Sequence, residues 1–310
     1  MTAAIGGSTN AVIHLAAIAG RLGLDASLRR FDELWRDVPL VADIEPCGTR
    51  LIQHFRTAGG IAAVARSLGS RFDTTALSAD GTDWAALAAA APELGTTIRP
   101  ADDPVLPAPT LAAVFGSLAP DGAVIKVAAA TPGLLSHTGR AVTFDTYQQM
   151  RERLDDESEQ IDASDVIVVR GCGPVGVPGM PEWGMAPVPR RLARAGVRDM
   201  VRISDGRMSG TAYGTVILHV TPEAADGGPL GLVCTGDTVI LDVAARRLDI
   251  DVSPEELAAR RPSGATEAGF ARPERGWEKL YVEHVTQADT GADLDFLRGS
   301  SGHQVPRESH

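Results

Sequence analysis

From about residue 117 onward the chain is a succession of short β-type apolar runs, each cut off by glycine or proline. That punctuation constrains the fold more than any other feature. The runs are 123–127, 141–144, 166–169, 201–203, 216–220 and 238–243. Val166-Ile167-Val168-Val169 has no polar alternation at all, which suits a strand covered on both faces. Helical stretches intervene at 146–153, 187–195 and 254–260. Strands this short and this regularly interrupted predict a closed or barrel-like sheet with a few helices packed on it.

The first hundred residues read differently. Gly6-Gly7-Ser8-Thr9-Asn10 leads into a run over 11–19 that is apolar nearly all round. Ser8, Thr9 or Asn10 can cap this helix, and Gly20 or Gly23 can end it. A helix apolar on every side belongs inside a larger core, so His14 is expected to be a core residue and the chain is expected to be cut from something longer. Further helices are predicted at 31–35, 50–55 and 61–68, and 73–103 reads as small and polar with Trp84 as an isolated anchor. The proline-rich stretch 102–109 marks a domain boundary. The expected division is therefore an incomplete α/β domain over 1–105, a β-barrel-like domain over 110–255, and a helical tail over 256–310. The tail contains one amphipathic helix at 277–289 and folds back towards the pocket.

With 310 residues the chain is long enough to bury a real core. Hydrophobic residues make up 44% and charged residues 22%, the balance of an ordinary globular protein. The net charge of −11 argues against nucleic acid or an acidic membrane surface as the main partner. Cys47, Cys172 and Cys234 are widely spaced, with no CxxC pair. Such cysteines are expected to be small semi-buried residues in a reducing cytoplasm, not a disulfide framework or a metal signature.

Three glycine- and proline-rich segments crowd around polar groups. In the first, 171–184, the single carboxylate is Glu182. A carboxylate in a rigid loop suits a hard cation or a proton transfer; composition alone favours a solvated glutamate. In the second, 203–214, Ser209 is flanked by small residues, and Gly210, Thr211 and Gly214 can expose backbone N–H groups to an anion. A structural serine in a glycine-rich turn reads equally well there. The third, 6–10, is either an anion site at a helix N-terminus or a plain cap.

Taken in order, GGSTNAVIHL, LAPDGAVIK, GCGPVGVPGMPEWG, RISDGRMSGTAYG and the ending QADTGADLDFL…VPRESH resemble the dihydroxy-acid dehydratase / 6-phosphogluconate dehydratase family over essentially the whole chain. The PEWG and MSGTAYG variants resemble its sugar-acid branch, which acts on arabinonate, xylonate and similar acids. The resemblance implies a hydro-lyase that converts a 2,3-dihydroxy aldonate to the 2-keto-3-deoxy acid. Dihydroxy-acid dehydration in branched-chain amino-acid synthesis and a non-catalytic truncated binding module are the alternatives. It further implies an iron–sulfur cluster, [2Fe–2S] ahead of [4Fe–4S], that acts as Lewis acid on the leaving hydroxyl. It also implies Mg2+ on the substrate carboxylate and 2-hydroxyl, and a serine base. Position by position, Glu182 resembles the magnesium ligand and Ser209 the base, while Thr211, Tyr213 and His310 match substrate-pocket positions. The family's cluster cysteines lie in an N-terminal region outside these motifs. This chain is accordingly expected to supply no cluster ligand and not to bind the cluster alone. A small-molecule sugar acid and further copies of the chain are the expected partners.

Overall fold

A computed structural model describes residues 1–260 and 273–299. Eight strands form one sheet: β1 (Ala112–Val114), β2 (Gly122–Ile125), β3 (Ser136–Phe144), β4 (Val166–Val169), β5 (Val201–Ser204), β6 (Val216–Thr221), β7 (Thr238–Asp242) and β8 (Arg247–Ile250). Their order is β1-β2-β6-β5-β4-β3-β7-β8. The central set β3-β4-β5-β6 is parallel, and both flanks are antiparallel. The edges nearly meet: the Phe115 N–H donates to Arg246 O (2.9 Å), and the Leu248 N–H donates to Phe115 O (2.8 Å). The sheet is thus a barrel closed except for a short seam.

The apolar run at β4 is explained by its two neighbours. Val166 and Val168 face the barrel interior beside Val201, Ile203, Ile217, Val239, Leu241 and Leu248. Ile167 and Val169 face outward into a second core with Phe144, Met150, Leu154, Leu192 and Met200. That second core is roofed by α6 (Tyr147–Arg153) and α7 (Arg190–Arg194). A strand covered on both faces buries every side chain, so its sequence shows no polar alternation. Each such residue contributes about 1.5–3 kcal/mol of burial.

Helices begin where side chains can take up free N–H groups. Ser27 accepts from Arg30 N (3.3 Å) at α2 (Leu28–Trp35), Thr146 from Gln149 N (3.0 Å) at α6, and Ser253 from Glu256 N (3.1 Å) at α8 (Pro254–Ala259). α1 (Asn10–Arg21) and α2 pack on the outside of β1 and β2 through Val12, Leu28, Trp35, Ala113 and Val124. Buried Asp32 ties α2 to the barrel, accepting from Ala113 N (3.1 Å) and Arg246 Nε (2.7 Å). A smaller core around Val41, Phe55, Val64, Leu68 and Ile98 holds α3 (Ile52–Thr57) and α4 (Gly60–Leu68).

Several expectations are corrected. α1 is not enclosed: Val12, Ile13 and Ala16 are buried, whereas His14, Leu15, Ile18 and Leu22 are exposed. Uniform hydrophobicity does not reveal which face a neighbour covers. α5 (Trp84–Ala90), capped by Asp83 on Ala85 N (2.7 Å), lies in the small, polar stretch for which no helix is predicted. The tail helix α9 (Gly276–His284) stops before the expected end, because Val285 pairs with Leu294 in an isolated bridge. Cys234 is exposed, not semi-buried. Among the described residues no helix is long and apolar enough to cross a membrane.

Candidate active site

The parallel pairing of β4 with β5 sends the loops that follow them out of the same edge of the barrel, side by side. These are two of the three segments singled out in the sequence. Their backbones touch. The Gly184 N–H donates to Arg207 O (2.7 Å), and Arg207 Nε donates to Met180 O (2.5 Å). The approach requires glycine at Gly206, where a Cβ would lie 2.8 Å from Cys172 Cβ.

The third segment joins them from the other end of the chain. Asn10, the first residue of α1, donates through Nδ2 to Met208 O (3.0 Å) and to Glu182 Oε1 (3.3 Å). Ser8 lies against Gly210, 3.2 Å from where a Cβ would stand. Ser209 Oγ and Thr211 Oγ1 are hydrogen-bonded at 3.1 Å. Glu182, Ser209 and Thr211 are therefore gathered on one patch, with Ser209 half-buried and Glu182 and Thr211 exposed to whatever binds there. Tyr213 lies on the same loop and is 65% exposed. His310 lies outside the described residues.

Two buried oxygens in the joining segment, Thr9 Oγ1 and Asn10 Oδ1, have no hydrogen-bond partner. At the base of the Ser209 loop, His219 sits within β6 at φ +57°, and its amide donates to Gly206 O (3.1 Å). Neither of its ring nitrogens has a partner. Burial, reinforced by the nearby Arg207 cation, pulls His219 down to about 3, so its ring is neutral. A strained, buried, neutral histidine under a glycine-rich loop is the kind of feature that gathers at functional sites.

The resemblance implies two groups, an iron–sulfur cluster and a magnesium ion. A cluster requires several thiolates on one metal set. Cys47 is half-buried beside Gly6 and Lys126, Cys172 is buried in the second core, and Cys234 is exposed. Burial and the Asp205 carboxylate push the Cys172 thiol far up, away from the thiolate a metal needs. Among the described residues no three His, Cys, Asp or Glu side chains come together as a metal site. These residues do not fit a cluster. For a hard cation, which takes six or more oxygens, Glu182 is one ligand and not a site.

Glu182, Ser209 and Thr211, singled out as candidates from the sequence, are brought together by the fold, whereas the residues that hold them were missed. Asn10 read as part of a helix cap; its bonds reach residues 172 and 198 positions away, which no local pattern reveals. Asp205, Glu223 and Gln287 also belong to the setting of the site. Of these, Asp205 and Gln287 lay inside motifs whose spacing stood out, without any signal of their burial or partners.

Comparison with known proteins gives the following. A family model described as the dihydroxy-acid/6-phosphogluconate dehydratase C-terminal region matches residues 96–292, and its N-terminal counterpart matches residues 1–86. L-arabonate dehydratase of Azospirillum brasilense is 46% identical over 316 residues, covering 99% of this chain and 54% of that protein. 6-deoxy-6-sulfo-D-gluconate dehydratase of Pseudomonas putida is 46% identical over 307 residues, covering 98% and 52%. Dihydroxy-acid dehydratase of Ignicoccus hospitalis is 39% identical over 297 residues, covering 94% and 53%. The chain spans about half the length of the curated relatives it matches.

Proposed function

The chain belongs to the dihydroxy-acid/6-phosphogluconate dehydratase family, and from that premise we propose that it is the part of a sugar-acid hydro-lyase that carries the proton-abstracting serine. The substrate class is a 2,3-dihydroxy aldonate and the product its 2-keto-3-deoxy acid. The observation that carries this reading is the convergence of three distant segments on one patch that holds Ser209, Thr211 and Glu182. The higher identity to the arabonate and sulfogluconate dehydratases than to the dihydroxy-acid dehydratase favours an aldonate over a branched-chain acid.

In this reading Ser209 Oγ removes the C2 proton. The C2–H electron pair forms the C2–C3 double bond, the C3 hydroxyl departs, and the enol tautomerises by taking a proton at C3. A free hydroxyl is far too weak a base at neutral pH, so Ser209 acts only with positive charge close by. The Thr211 hydroxyl, 3.1 Å from Ser209 Oγ, orients that oxygen. Asn10 holds the Glu182 carboxylate beside the Ser209 loop, where it would supply one oxygen ligand to a cation completed by groups outside this chain. Tyr213, exposed at the end of the loop, is placed to contact the distal hydroxyls of a sugar acid. Arg207, between the two loops, adds positive charge to the same region.

The test joins this chain to the matching remainder of the A. brasilense relative and assays keto-acid formation from five- and six-carbon aldonates and from 2,3-dihydroxyisovalerate. Preferential turnover of an aldonate is expected. Preference for the branched-chain acid overturns the substrate class, and no turnover of any substrate by a folded, metal-loaded chimera overturns the catalytic reading.

A further inference from the structure

Glu182 and Ser209 stand on different loops, which touch at the surface through Gly184, Arg207 and Met180 and are bridged by Asn10. Beneath them lie two carboxylates that the chemistry above does not use. Asp205 is wholly buried and accepts from Gly171 N (2.9 Å), Cys172 N (2.9 Å) and Ala224 N (3.0 Å). Glu223, 1% exposed, accepts from Val175 N (2.8 Å), Gly176 N (2.9 Å) and Gln287 Nε2 (3.0 Å). The Glu223 N–H in turn donates to Gln287 Oε1 (2.8 Å).

These bonds connect separate stretches of the chain. Asp205 follows the last residue of β5 and is the base of the Ser209 loop, and its two bonds to Gly171 and Cys172 grip the start of the Glu182 loop. Glu223 follows β6 and grips the same loop four residues further on, at Val175 and Gly176. Gly173 between them leaves the space that the Glu223 carboxylate fills; a Cβ there would run into it. Gln287 brings the segment after α9 to the same point.

Burying two carboxylates side by side is unfavourable. Burial pushes both up, and the Asp205 carboxylate adds to it at Glu223, which is held at about 8, while the N–H donors pull the other way. Apolar residues of the same volume would serve the core as well or better. What apolar residues cannot do is take N–H groups from loops that have no other partner for them.

We propose that Asp205 and Glu223 are positioning residues. They form a two-carboxylate hub that sets the loop bearing Glu182 against the loop bearing Ser209, and Gln287 locks the tail onto the same hub. The proposal rests on the dehydratase reading for what the positioned groups do, but its test requires no turnover.

The experiment is residue-resolved amide hydrogen exchange on the 310-residue chain and on the Glu223→Gln and Gln287→Leu variants, with Trp183 emission as a second readout. Trp183 lies in the gripped loop and stacks on Tyr147 at 5.1 Å. In Glu223→Gln the amide presents an NH2 where an acceptor stood, so exchange at residues 173–177 is expected to rise about tenfold or more. Trp183 emission shifts at the same time, and exchange in β3, β4 and β5 is unchanged. Gln287→Leu, which removes a half-buried side chain from outside the core, produces a smaller rise at the same residues and decides the matter if Glu223→Gln fails to fold. Unchanged exchange at 173–177 overturns the proposal. So does a uniform rise across all strands, because a residue that merely stabilised the core would act everywhere at once.

Discussion

The barrel strands and α1 are both strongly apolar, yet the molecule uses them in opposite ways. All of β4, β5 and β6 is buried, including Arg202, Ser204 and His219. α1 buries one face and leaves Leu15 41% and Ile18 60% exposed. The same composition therefore builds a closed core in one place and a presented surface in the other. The difference lies in topology: parallel neighbours and a roof of helices surround the strands, whereas α1 has the barrel on one side only. The candidate site forms where the two kinds of element meet, with α1 supplying Asn10 and the strands supplying the loops.

The largest effect that would break this comparison is at the buried pair of Asp199 and Arg202. Their side chains are 6% and 4% exposed, and Asp199 also accepts from Thr215 N (2.9 Å) and Thr131 Oγ1 (2.7 Å). Asp199→Ala leaves a buried cation alone and is expected to cost about 3–5 kcal/mol in urea unfolding. A loss below about 1 kcal/mol would mean that the barrel wall tolerates water. Next is Ile217→Ala, at a fully buried position in β6, with an expected loss of about 2–5 kcal/mol. Its counterpart, Ile18→Ala on the exposed face of α1, is expected to change stability by less than about 0.5 kcal/mol. Equal losses at the two isoleucines would show that α1 is enclosed after all.

A pH series sharpens the same contrast within the barrel. His219 is held at about 3, below its ordinary 6.5, so the unfolded chain takes up a proton that the folded chain refuses. Its contribution to stability is present above 6.5 and declines as pH falls towards 3. Glu223 is held at about 8, above its ordinary 4.5, so the folded chain keeps a proton that the unfolded chain loses. Its contribution is present below 4.5 and declines as pH rises to about 8. Glu223→Gln is expected to flatten the alkaline side of the unfolding curve and leave the acid side unchanged. The reverse would misassign both groups.

Much of this architecture was legible. The apolar run at 166–169 is β4 residue for residue, and the runs at 201–203 and 216–220 fall within β5 and β6. β1 and β8 were not legible, because Ala-Ala-Val is too short and Arg-Leu-Asp-Ile too polar to stand out from loops. His14 is exposed although its helix is apolar in sequence, because hydrophobicity does not say which side is covered. At the candidate site, the loop setting and the family motifs pointed to Glu182, Ser209 and Thr211, which the fold places on one patch. Asn10, Asp205, Glu223 and Gln287 did not, since a buried polar residue is recognised by partners that only the fold brings near.

The most direct measurement of the central claim is the turnover of an aldonate by the chimera carrying Ser209→Ala, beside Thr211→Ala and the parent. If Ser209 is the base, Ser209→Ala lowers kcat by about 10²–10⁴ while KM stays close to the parent value, and Thr211→Ala, which only orients the hydroxyl, loses much less. Turnover by Ser209→Ala within a few-fold of the parent would contradict the account, and the base would have to be sought elsewhere.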